Sequence, residues 1–253
     1  MSLADHRWIK RPALRDGRSH RLICFPHAGA GASSFARWAA TAPGEIEICR
    51  VQLPGREDGR HLPPVGDLTT VLPLLAERIR DVNRDGLPLI LYGHSMGAAL
   101  AHQMARYLKD APFFRGLLVS GRRAPHLPPS RAAHHELSED ELIEVMIRAD
   151  PHPELWRRPH WRDPYLHLLR CDSAALERIP LQPKATLTAP IVAFHGEQDL
   201  WVSKFELSEW RHTTIGEFQL RCYEGGHTDH HLIRNEIMEH SSRLCGDAAG
   251  VAA

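Results

Sequence analysis

Between Leu87 and Asp110 three signals follow one another without a spacer. Leu87–Gly93 (LPLILYG) is an unbroken apolar run of strand length, Gly93-His94-Ser95-Met96-Gly97 has the pattern G-x-S-x-G, and Gly97–Asp110 (GAALAHQMARYLKD) has helical spacing. An apolar run without alternation fits a strand buried on both faces, in a sheet covered by helices on each side. A strand that turns sharply into a helix at such a pentapeptide holds its serine, strained, above the sheet edge. The glycines are needed because side chains there would collide with neighbouring backbone. The plain alternative is a serine that only caps the helix.

The same rhythm runs along the chain. Arg21–Pro26, Ile46–Gly55, Arg115–Gly121, Ala189–Gly196 and Phe218–His227 read as strands, and Asp67–Val82 as a helix with Leu68, Val71, Leu72, Leu75 and Ile79 on one face. Pro73 is expected to kink or shorten that helix. Alternating strands and helices predict a mostly parallel sheet with crossover helices. From Arg122 to about Thr188 the rhythm stops, and prolines separate short amphipathic patterns. Ser138 and Glu141 have capping-box spacing and mark one helix start. This stretch reads as a helical insertion over the sheet, so residues 1–253 form one domain with an insertion at about 122–188.

Composition narrows the function. Lys plus Arg and Asp plus Glu are 31 each, a formal charge of zero, which argues against a nucleic-acid binder that relies on bulk positive charge. The five cysteines are scattered with no CxxC pair, so neither a disulfide framework nor a thiolate zinc site is expected, and a reducing cytoplasm is the expected home. The N-terminus carries charges throughout and no apolar signal region. No apolar run approaches the roughly 18 residues that span a bilayer.

A serine hydroxyl is a poor nucleophile until a base removes its proton and a carboxylate orients that base. With the serine on a strand-to-helix elbow, the acid and then the histidine are expected on loops after later strands. Asp199 follows the strand at Ile191–His195, and His227 follows the strand at Phe218–Tyr223 behind two glycines. Among 18 histidines, His230 is the reserve base, and Glu197 is the reserve acid. His195 should end its strand, His94 should pack or line the site, and His134-His135 reads as a solvated pair. His227 and His231 have i, i+4 spacing but lack the H-E-x-x-H glutamate, so no metal is expected. The oxyanion hole needs two main-chain N–H donors. Met96, after the nucleophile, and Ala28, in the small-residue loop Pro26–Gly31, are the candidates.

Cys24-Phe25-Pro26-His27-Ala28-Gly29, Val51-Gln52-Leu53-Pro54-Gly55-Arg56-Glu57 and Gly93-His94-Ser95-Met96-Gly97 together closely resemble the type II thioesterases of polyketide and nonribosomal peptide assembly lines. Leu168-Leu169-Arg170-Cys171-Asp172 resembles that family's L-R-A-D element, and the likeness runs from about residue 20 to 240. The resemblance implies an α/β-hydrolase fold with a mobile helical lid. It also implies hydrolysis of acyl thioesters from the phosphopantetheine arm of acyl- or peptidyl-carrier proteins, clearing stalled or misprimed groups. It places Ser95, Asp199 and His227 as the triad, with Ala28 and Met96 as oxyanion donors. No cofactor is implied, since the phosphopantetheine belongs to the partner. Small acyl thioesters are the other expected substrates; nucleic acid and membrane are not expected partners.

The chain departs from the family after the Gly-Gly-His, where aromatic residues usually stand and this sequence has Thr228-Asp229-His230-His231. The expectation is a more polar wall beside the base. Arg122-Arg123 and Arg157-Arg158 are candidate docking sites for an acidic carrier. The competing reading is a small-molecule carboxylic ester hydrolase, or an acyltransferase, on the same fold.

Overall fold

The computed structural model describes residues 6–149 and 153–246. Its strands are β1 (Ile9–Lys10), β2 (His20–Phe25), β3 (Ile46–Val51), β4 (Leu89–His94), β5 (Phe114–Ser120), β6 (Ile191–Gly196) and β7 (Phe218–Tyr223). They form one sheet in the order β1-β3-β2-β4-β5-β6-β7. β1 pairs antiparallel with β3, and every other pairing is parallel. The antiparallel edge has no signature in the sequence, because two residues are too few to carry a periodic pattern.

Alternate strand residues feed two apolar layers. Ile23, Phe25, Leu89, Leu91, Leu117 and Val119 share a core with residues of α2 (Leu72–Val82) and α3 (Met96–Leu108). Leu22, Cys24, Ile90, Tyr92 and Leu118 share the other with Trp38 of α1 (Ala36–Thr41) and with Ile237 and Met238 of the helix Arg234–Gly246. Burial on both faces is why the central strands are apolar without alternation. Pro73 falls in the first turn of α2 and so starts that helix instead of kinking it.

Residues 122–188 connect β5 to β6. They carry α4 (Glu139–Ala149), a 3-10 turn (Pro153–Arg157) and α5 (Pro159–Glu177). The capping box forms at the start of α4: Ser138 N donates to Glu141 Oε2 at 2.8 Å and Glu141 N to Ser138 Oγ at 3.3 Å. The sequence suggested only short pieces here, yet α5 runs for 19 residues with Pro164 inside it. Pro164 is an interior residue that cannot donate to the carbonyl four residues back, yet the helix continues through it. Leu142, Met146, Trp156, Leu166 and Leu169 form a separate small apolar cluster, against which Ala28 and Trp201 pack. The Tyr165 hydroxyl donates to the Ala28 carbonyl at 3.3 Å, so α5 lies against the loop that leaves β2. The cysteines are free. Among the described residues no helix is long and apolar enough to cross a membrane.

Candidate active site

The loops that leave β2, β4, β5, β6 and β7 all emerge at the carboxyl edge of the parallel strands, where open α/β sheets bind ligands. Ser95 stands between β4 and α3 with φ 53° and ψ −117°, a strained conformation for a residue with a side chain. A Cβ on Gly93 would strike the carbonyl of Gly97, and one on Gly97 would strike the carbonyl of Phe25. Both glycines are therefore demanded by close backbone approach. The Ser95 hydroxyl makes no cap bond to α3, which disposes of the plain-cap reading. The N–H of Met96 opens α3 and has no carbonyl four residues back within the helix.

His227 Nδ1 and Asp199 Oδ2 are 2.9 Å apart. The other oxygen, Oδ1, accepts from Trp201 N at 2.7 Å and Val202 N at 3.0 Å. Burial opposes the Asp199 charge, but these hydrogen bonds outweigh it and hold the carboxyl below its ordinary pKa. His227 Nε2 is buried without a hydrogen-bond partner among the described residues. The reserve residues stand elsewhere. Glu197 is exposed, while His230 is buried and stacked on His94, with ring centroids 4.2 Å apart.

His94 Nδ1 and the Tyr92 hydroxyl each lie 2.9 Å from Ser120 Oγ, beneath the elbow. Burial, reinforced by neighbouring imidazoles, holds His94 and His230 well below the ordinary histidine pKa, and His27 at about 4. Under the loop of Ala28, Arg56 and Asp172 form a two-pronged ion pair, Nη1–Oδ2 2.6 Å and Nη2–Oδ1 2.7 Å. Asp172 Oδ2 also accepts from Gly29 N at 2.8 Å, and Arg56 Nη1 donates to Ala30 O at 3.0 Å. Three of the sequence's distinctive segments thus meet at one buried pair.

Ala28, Ser95, Met96, Gly121 and His227 line one cavity of about 410 Å³. The residues expected to make the wall beside the base more polar do not reach it. None of Thr228–His231 lines the cavity, whereas Arg122, Arg123, His134 and Glu206 do. Asp229 instead ties its own turn, accepting from Gly226 N at 2.8 Å. His134, expected to be solvated, is half-buried with its ring 5.1 Å from Trp201, which in turn lies 4.4 Å from His227. Arg122 and Arg123 are half-buried cavity residues rather than an outer docking patch. Their position depends on how residues 122–188 fold back, which no local pattern encodes. Among the described residues no group of three or more His, Cys, Asp or Glu side chains could hold a metal ion.

A strained serine on a strand-to-helix elbow, lining one cavity with a hydrogen-bonded histidine–aspartate pair at the carboxyl edge of a mostly parallel sheet, is an arrangement of the α/β-hydrolase fold. Over residues 20–245 the chain matches the thioesterase domain family, and it belongs to that family. It is 34% identical to thioesterase PikA5 of Streptomyces venezuelae over 239 residues, covering 92% of this chain and 85% of that protein. It is 30% identical to the gramicidin S biosynthesis protein GrsT of Aneurinibacillus migulanus over 237 residues, covering 92% of each. The type II thioesterase BorB from the borrelidin biosynthetic cluster superposes with a TM-score of 0.79 at 30% identity, covering 94% of this chain and 97% of that one. The chain is a thioesterase, and its solved relatives include type II thioesterases of the borrelidin and yersiniabactin biosynthetic pathways.

Proposed function

We propose that this thioesterase hydrolyses acyl thioesters carried on the phosphopantetheine arm of acyl- or peptidyl-carrier proteins, removing stalled or misprimed groups from a cytoplasmic assembly line. The observation that carries the reading is the shared cavity: a strained Ser95 beside a histidine already held by a carboxylate. Ser95 Oγ attacks the thioester carbonyl while His227 Nε2 takes its proton. Asp199 fixes the tautomer through Nδ1 and stabilises the imidazolium. Main-chain N–H groups of Ala28 and Met96 receive the oxyanion. Collapse expels the pantetheine thiolate, which His227 protonates, leaving an acyl-serine. Water then attacks, His227 accepts its proton, and the free acid departs with Ser95 restored. Every step uses groups of this chain and the substrate, so no cofactor is invoked. Residues 122–188 act as the cover that admits the arm.

Intact-mass spectrometry of acyl-loaded carrier protein, before and after incubation, tests the proposal: loss of the acyl mass with return of the free thiol supports it. The same acyl group on a carrier, on N-acetylcysteamine and as a p-nitrophenyl ester separates the alternatives. Equal kcat/KM for carrier and mimic, or preference for the oxygen ester after allowing for its better leaving group, would favour a small-ester hydrolase.

A further inference from the structure

The cavity that Ser95 and His227 line is also lined by a cation that no described residue pairs with. The chain passes the imidazole immediately before Arg122: a Cβ on Gly121, which has φ 59°, would stand 3.1 Å from the His227 ring. The Arg122 carbonyl accepts from Trp210 Nε1 at 2.8 Å, which anchors the main chain there. Its half-buried side chain lines the Ser95 cavity and also a second one of about 220 Å³, bounded by Ala124, Leu127, Ile179 and Trp210.

The Arg122 guanidinium nevertheless makes no hydrogen bond or ion pair with any described residue. The other charged groups on that wall are engaged or exposed. Arg123 donates to Leu127 O at 3.2 Å, Glu206 is held by Ser130 and Ser203, and exposed Glu177 attracts Arg122 without pairing with it. Desolvation, with repulsion from Arg123, draws the Arg122 pKa down to about 10, so the charge persists at neutral pH. A planar cation with five donors and no acceptor in a cavity is a recognition element for a carboxylate.

We propose that Arg122 determines acyl specificity by binding a carboxylate on the acyl chain, so that the site favours half-thioesters of dicarboxylic acids over plain alkyl thioesters. This rests on the thioester-hydrolysis reading above. The acyl end is favoured over the phosphate of the pantetheine arm because Arg122 follows Gly121, which lies against His227, and lines the cavity of Ser95. The phosphate is separated from the thioester sulfur by the whole arm.

The test compares kcat/KM for glutaryl- and pentanoyl-N-acetylcysteamine in the wild type, Arg122→Gln and Arg122→Lys. We expect Arg122→Gln to lower the glutaryl-to-pentanoyl ratio by about tenfold or more, the scale of one charge-assisted hydrogen bond, with partial recovery in Arg122→Lys. A purely structural role lowers both substrates alike, so an unchanged ratio overturns the proposal while the hydrolysis reading stands. Hydrolysis of neither acyl group by the wild type, on N-acetylcysteamine or on a carrier protein, overturns both. Pentanoyl-pantetheine and pentanoyl-phosphopantetheine form the second arm. A loss in Arg122→Gln confined to the phosphorylated form assigns the arginine to the arm and overturns the proposal.

Discussion

Arg56 and Asp172 lie 116 positions apart in the chain and meet in a buried, two-pronged ion pair beneath the Ala28 loop. The pair fastens α5 to the loop after β3, and through Gly29 N and Ala30 O it also shapes the loop after β2. Gln52 adds to the same joint, accepting from Ala32 N at 2.9 Å and donating to Arg56 O at 3.1 Å. The placement of the proposed oxyanion donor Ala28 therefore depends on a salt bridge made by two other elements.

Removing one partner should be costly. Arg56→Met leaves the Asp172 carboxylate buried and uncompensated, with an expected loss of about 3–5 kcal/mol of stability in urea unfolding. Arg56→Met combined with Asp172→Leu should regain much of that stability, because neither charge then remains buried. Turnover should stay depressed in the double variant, since the loop has lost its tether. Full recovery of kcat alongside stability would show that the pair does not position the loop.

Ser95→Ala should reduce turnover by roughly 10⁴-fold or more without unfolding the chain, since nucleophile and base act as one unit. A serine-directed phosphonate should add a single adduct to the wild type, and peptide mapping should locate it on Ser95. Labelling at another residue would remove Ser95 from the mechanism.

Asp199→Asn preserves the shape of the pair but favours the wrong imidazole tautomer, so kcat should fall by roughly 10³–10⁴-fold. Glu197→Gln, on an exposed residue, should leave steady-state kinetics near the wild type. Reversed outcomes would transfer the acid role to Glu197.

His94 and His230 are buried and neutral in the fold, their pKa values held well below the ordinary value of 6.5. In the unfolded chain they titrate near that value, so below it the unfolded state binds more protons. Stability should be whole above about pH 6.5 and fall as pH drops, by on the order of 2 kcal/mol per histidine between pH 7 and pH 5. His230→Phe keeps an aromatic ring against His94 and removes one titrating group, so its urea midpoint should depend less steeply on pH in that window. An unaltered slope would mean that His230 does not titrate on unfolding.

The sequence by itself determined the strands, the helices that cover them and the elbow, because each is written within a dozen or so neighbouring residues. Apolar runs, glycines at a steric pinch and a capping box act locally, and that is why the strand ends that carry Ser95, Asp199 and His227 are legible in the sequence. Even there, prolines disguised the length of α5, which continues through Pro164. Only the tertiary structure decided what meets what. The Arg56–Asp172 pair, the His94–His230 stack and the entry of Arg122 and His134 into the cavity join residues brought together by packing. Such contacts depend on how whole elements lie on the sheet, and a charged or imidazole side chain reads the same in sequence whether it faces water, a carboxylate or a cavity.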